Sequence, residues 1–128
     1  GLTVAVLGLT FKPNTDDLRE SPSFTNIPIL LDDGAIVKAY DPIGENNFKK
    51  YYPNEITYCS TIEDTLKDAD LCLILTEWNG IKQLDLSVYE KLMKKPIVLD
   101  GRNCYNLDEV KKTNIVYDSI GRKTINNI

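Results

Sequence analysis

Histidine is absent from this 128-residue chain, tryptophan and methionine occur once each, and cysteine three times. Cys59, Cys72 and Cys104 are irregularly spaced and form no Cys-x-x-Cys pair, which, without histidine, argues against a zinc site. They read as buried free thiols of a reducing compartment rather than as a disulfide framework. Basic surplus is missing too: the net charge is −4, which argues against a nucleic-acid backbone as partner. No apolar run approaches the ~18 residues of a membrane span, and no basic stretch with an apolar core opens the chain as a secretory signal. Two glycine-rich nucleotide motifs are also absent. Gly8 has no second glycine two residues on, so the dinucleotide fingerprint fails, and Leu9 to Pro13 break the phosphate-loop lysine pattern.

What is present is ordinary globular composition, 42% hydrophobic and 27% charged, in a length that fits one domain with a modest core. The chain opens already inside a strand, at Gly1-Leu2-Thr3-Val4, which reads as the start of a domain excised from a longer protein. Thr3 to Leu7 is a β-branched and apolar run, the pattern of a strand buried on both faces. A polar loop with Lys12, Asp16, Asp17, Arg19 and Glu20 follows. Ser21 and Pro22 then read as cap and first residue of a helix that continues through Leu31, takes Pro28 as a kink and closes at Asp32-Asp33-Gly34. Strands are predicted at Ala35 to Tyr40, Ile56 to Cys59, Leu71 to Leu75, Ile97 to Leu99 and Ile115 to Tyr117, with Leu71 to Leu75 central. Ile43 to Pro53 reads as a short helix or loop with Phe48, Tyr51 and Tyr52 on one side. Thr61 caps a helix reaching Ala69, Asn79-Gly80 turns the chain, and Asp85 to Lys95 is an amphipathic helix with Leu86, Tyr89, Leu92 and Met93 inward. Leu107 to Lys112 is a further helix and Ser119 to Ile128 a tail.

Strands alternating with helices predict an α/β domain of three layers, a mostly parallel sheet flanked by helices. Such a sheet brings Gly8, Asp41, Leu75 and Asp100 to one edge, where open α/β sheets bind ligands. A lysine and an arginine fixed there suit phosphate oxygens, the one as a point charge and the other as a planar fork. Each candidate has a plainer reading beside this one. Lys12 could be a solvated loop lysine and Phe11 a core aromatic. Arg19 and Glu20 could pair with Asp16 or Asp17, which read as loop-ordering or capping carboxylates. Arg102 could be a surface residue on a tight turn. Asp41 stops a strand and is a weaker candidate for the crevice, and Trp78 reads as packing.

Gly8-Leu9-Thr10-Phe11-Lys12-Pro13-Asn14-Thr15-Asp16-Asp17, with Arg19-Glu20-Ser21-Pro22, resembles the opening of the C-terminal domain of the UDP-glucose/GDP-mannose dehydrogenase family. Ala39-Tyr40-Asp41-Pro42, Thr76-Glu77-Trp78, Asp100-Gly101-Arg102-Asn103 and Tyr117-Asp118-Ser119-Ile120-Gly121-Arg122 follow in the family's order, so the resemblance spans nearly the whole chain. It implies a Rossmann-like, UDP-binding domain over residues 1–128, without the NAD-binding and central domains. It also implies that Phe11, Lys12 and Arg102 contact the nucleotide sugar, and that Arg19 reaches an NAD cofactor held mainly elsewhere. The family's two-stage oxidation passes through a thioester on a cysteine of the central part. None of Cys59, Cys72 and Cys104 lies in that context, so no residue here is expected to be catalytic. The implied whole is a cytoplasmic homo-oligomer that oxidises UDP-glucose. A UDP-N-acetylmannosamine or GDP-mannose dehydrogenase is the near alternative, and a non-catalytic nucleotide-binding or oligomerisation module the distant one.

Overall fold

The run from Thr3 to Leu7 forms the first strand, β1, and its alternation sorts two cores. Val4 and Val6 join one apolar cluster, Ala5 and Leu7 the other. A computed structural model of the chain describes residues 2–9, 23–41, 45–76, 78–119 and 121–127. The expected cap at Ser21 and Pro22 and the loop residues Phe11, Lys12, Asp16, Asp17, Arg19 and Glu20 lie outside the described residues, as does Glu77.

The elements after β1 run α1 (Ser23–Asp32), β2 (Ile36–Tyr40), α2 (Glu45–Lys49), β3 (Ile56–Tyr58), α3 (Ile62–Leu66), β4 (Leu71–Ile74), α4 (Asn79–Lys82), α5 (Ser87–Leu92), β5 (Ile97–Asp100), α6 (Leu107–Val110), β6 (Val116–Ser119) and β7 (Ile125–Asn126). The strands form one sheet in the order β3-β2-β1-β4-β5-β6-β7. All pairings are parallel except β6 with β7. The expected α/β architecture is therefore present, and β4 is the central strand as its composition predicts.

The two halves of the sheet are covered on opposite faces. Ile27 of α1 and Phe48 of α2 pack on Val4, Val6, Val37 and Ala39. Ile62 and Leu66 of α3, Ile81 of α4, Tyr89 of α5 and Val110 of α6 pack on Ala5, Leu7, Cys72, Ile74, Val98 and Tyr117. Helices on both faces of a parallel sheet make three layers. On the α1 side, the in-register row Leu73–Leu99–Asp118 remains open, with Leu99 36% exposed.

Local chemistry sets the element ends. α1 tolerates Pro28 and closes in a Schellman motif: the amide of Gly34, at φ +81°, donates to Leu31 O, and that of Ala35 to Leu30 O. Thr61 caps α3 as expected, its hydroxyl accepting the Asp64 amide at 3.0 Å. That helix ends at Leu66 rather than Ala69, with Asp68 already left-handed at φ +60°. The amphipathic helix is also shorter than its pattern suggests, because the amides of Lys94 and Lys95 turn to Ala69 O.

Four other expectations are corrected. Asn79-Gly80 opens a helix instead of a turn: the amides of Ile81 and Lys82 both donate to Trp78 O, and the fully buried Ile81 holds that turn to the core. The tail is partly a strand, since Gly121, at φ +71°, reverses the chain and Ile125 buries itself opposite Tyr117. Phe48 and Tyr52 stack at 5.3 Å between centroids, but Tyr51 turns outward and is 63% exposed. All three cysteines are free thiols, yet only Cys72 is fully buried; Cys59 and Cys104 are half-buried.

Candidate functional site

The strand order reverses between β1 and β4, and the carboxyl ends flanking that point carry the candidate residues. Gly8 leaves β1 at φ +101°, where a Cβ would stand 2.4 Å from both Cβ and Oγ1 of Thr76 and 2.7 Å from its backbone nitrogen. Only glycine fits so close an approach. The Gly8 amide donates to Tyr40 O, and the Leu9 amide to the Asp41 carboxylate at 2.7 Å. Asp41 is 2% exposed. It does not stand open as a crevice ligand; it fastens the chain leaving β1 to the end of β2.

Across the switch point, β5 ends on Asp100, also 2% exposed. Its Oδ1 accepts the Arg102 amide at 2.8 Å, and its Oδ2 accepts the Cys104 amide at 2.6 Å and the Tyr117 hydroxyl at 2.5 Å. The loop from 100 to 104 is thus wrapped around one side chain, with Asn103 left-handed at φ +54°. A cleft of about 250 Å³ lies beside it, lined by Leu73, Leu75, Leu99, Asp100, Gly101, Asp118 and Ser119. The half-buried Arg102 therefore follows directly from the cleft wall, at the edge where the sequence places it. Lys12, Phe11 and Arg19 lie outside the described residues, so a shared Lys12–Arg102 diphosphate site stands as a proposal. Trp78 is packed in the core, as expected.

A second layer of this end was not singled out from sequence. Arg122 donates from Nε to Ser119 Oγ at 2.9 Å, from one terminal nitrogen to Tyr105 O at 2.8 Å, and from the other to the Tyr117 hydroxyl at 2.8 Å. Tyr105 in turn donates to Ile81 O and meets the Tyr89 hydroxyl at 2.6 Å. Burial pushes the hydroxyls of Tyr89, Tyr105 and Tyr117 well above the usual phenol range, and the bond to Asp100 raises Tyr117 further. Burial likewise raises the Cys72 thiol, which disfavours the thiolate that a nucleophile needs. The sequence signal for this cluster is the Tyr117 to Arg122 stretch that carries part of the resemblance, with an arginine after a glycine that reverses the chain behind a buried strand.

Comparison with known proteins decides the family. The model described as the UDP-glucose/GDP-mannose dehydrogenase family, UDP binding domain, matches residues 5–107. The chain belongs to that family. A UDP-glucose 6-dehydrogenase of Bacillus subtilis, YwqF, is 46% identical over 125 residues, which is 98% of this chain and 28% of that protein. Among solved structures, an NDP-N-acetyl-D-galactosaminuronic acid dehydrogenase from Methanosarcina mazei superposes with a TM-score of 0.78 at 29% identity, over 96% of this chain and 25% of that one. A UDP-glucose dehydrogenase from Pyrobaculum islandicum gives 0.74 at 31% identity, over 92% and 25%. The chain thus spans little more than a quarter of the length of its family relatives. Among the described residues no helix is long and apolar enough to cross a membrane.

Proposed function

We propose that residues 1–128 are the C-terminal UDP-binding domain of an NAD-dependent UDP-glucose 6-dehydrogenase, a cytoplasmic homo-oligomer that oxidises UDP-glucose to UDP-glucuronate. The observation that carries this reading is the stapled Arg102 loop beside the cleft, one strand from the switch point of a UDP-binding family domain. In it, Arg102 and Lys12 hold the diphosphate through charge-assisted hydrogen bonds, and Phe11 lies against the substrate. Arg19 reaches toward NAD.

The described residues do not themselves form a dinucleotide cradle. The space that a close pyrophosphate would need at Gly8 is filled by Thr76, and the further glycines of the fingerprint are missing. NAD in this reading is bound by another part of the enzyme, and no residue of this chain is assigned a catalytic role.

A half-site leaves the ligand open to water, which screens the charges. The 128-residue chain should bind UDP with a dissociation constant near ~1 mM, or about −4 kcal/mol, and turn over nothing. Calorimetric titration with UDP, beside a spectroscopic NADH assay with UDP-glucose and NAD, tests both. Lys12→Ala should weaken binding without unfolding the chain. Turnover by this chain alone would overturn the half-site reading, and no binding at millimolar UDP would favour a structural role. Because one structural relative acts on a different sugar nucleotide, a parallel titration with GDP separates the base specificities.

A further inference from the structure

We propose that Tyr117 and Arg122 are positioning residues for the Arg102 loop, acting on it through Asp100 and Tyr105; this rests on the reading of Arg102 as a diphosphate ligand. Asp100 fixes the near end of the loop by accepting the amides of Arg102 and Cys104. Its Oδ2 shares a third donor, Tyr117, from the neighbouring strand β6. The Tyr117 hydroxyl has one proton, and it is given to Asp100; its lone pair receives Arg122. A second arm of the same guanidinium holds the carbonyl of Tyr105, one residue past Cys104, and so fixes the far end. The third donor, Nε, reaches Ser119 at the carboxyl end of β6.

Arg122 therefore spends all three of its nitrogens on groups from three places: the loop, the strand end and the buried phenol. That geometry needs a planar fork, which a lysine does not have. Three of its five N–H donors are committed in this way, which marks Arg122 as a residue that orients the loop. The guanidinium carbon lies 5.7 Å from the Tyr117 ring centroid, adding a cation–π contact to the same assembly.

The test is a double-mutant cycle on the 128-residue chain, read by NMR titration with UDP and by amide exchange. Tyr117→Phe keeps the packed ring and removes the hydroxyl. It should weaken UDP binding about fivefold when Arg102 is present and leave affinity nearly unchanged in an Arg102→Ala background, the non-additivity expected of coupled groups. The amides of Arg102 and Cys104 should exchange faster in the same variant. Arg122→Lys, which keeps the charge and loses the fork, should reproduce both effects and stands in if Tyr117→Phe fails to fold. Equal weakening with and without Arg102, or unchanged UDP affinity in both variants, overturns the proposal. No UDP binding by the unmutated chain is instead a failure of the functional reading, and the positioning role falls with it.

Discussion

The strand ends on the two sides of the switch point are fixed by different means. At the β1/β2 end the decisive feature is closeness: Gly8 lies against Thr76 with no room for a side chain, and Asp41 ties the Leu9 amide. At the β5/β6 end it is directed bonding: one carboxylate gathers two amides and a phenol, and one guanidinium gathers three acceptors. The first arrangement is sensitive chiefly to size. The second is sensitive to chemistry, since an isostere that cannot accept or donate leaves buried polar groups unpaired. A site assembled from both has one wall that is rigid by packing and one whose loop is set by hydrogen bonds.

That contrast is open to direct attack. Gly8→Ala should have the largest effect: left-handed strain and forced displacement of Thr76 together should cost about 3–5 kcal/mol in urea unfolding. Asp100→Ala should follow at roughly 3 kcal/mol, because three donors lose their acceptor. Asp41→Ala should cost about 1–2 kcal/mol for the buried Leu9 bond. If Asp41→Ala proves as damaging as Asp100→Ala, the distinction between the two ends collapses.

The remaining effect is alkaline. Tyr89, Tyr105 and Tyr117 hold their protons more tightly folded than unfolded. Their contribution is therefore complete below about pH 10, the unfolded phenol value, and is lost as pH rises beyond it. Each group adds about 1.4 kcal/mol of loss per pH unit there. Denaturation midpoints measured from pH 9 upward should fall, and Tyr117→Phe should make the fall less steep. An unchanged slope would place the alkaline sensitivity outside the β5/β6 end.

Most of the scaffold is legible in the sequence because apolar strands flanked by turn chemistry leave little choice. Thr3 to Leu7 matches β1 residue for residue, and the Thr61 cap and the Gly34 stop are local signals that tertiary contacts do not override. The misses have tertiary causes. Asn79-Gly80 reads as a turn in isolation, and becomes helical because the buried Ile81 and the Trp78 carbonyl organise the residues around it. β7 is two residues long, too short for a periodicity, and exists only because Tyr117 offers Ile125 a partner. At the site, Arg102 is visible as an arginine behind a buried strand. Asp100 and Arg122 stand in the stretches that carry the resemblance, but their bonds are not legible, since these depend on acceptors and donors 17 or more residues away, or on a loop folded back across Asn103.

The sheet also tapers. Its inner strands β1 and β2 run five residues and β4, β5 and β6 four, but the outermost ones, β3 and β7, have three and two. A strand at the rim of a sheet offers its outward amides and carbonyls to any passing extended chain, and the offer grows with its length. Here both rims are cut short, and the reversed direction of β7 replaces what would be a four-residue parallel rim at β6. Recruitment of foreign strands, and the fibrous growth that follows from it, is thereby disfavoured by the outline of the sheet itself.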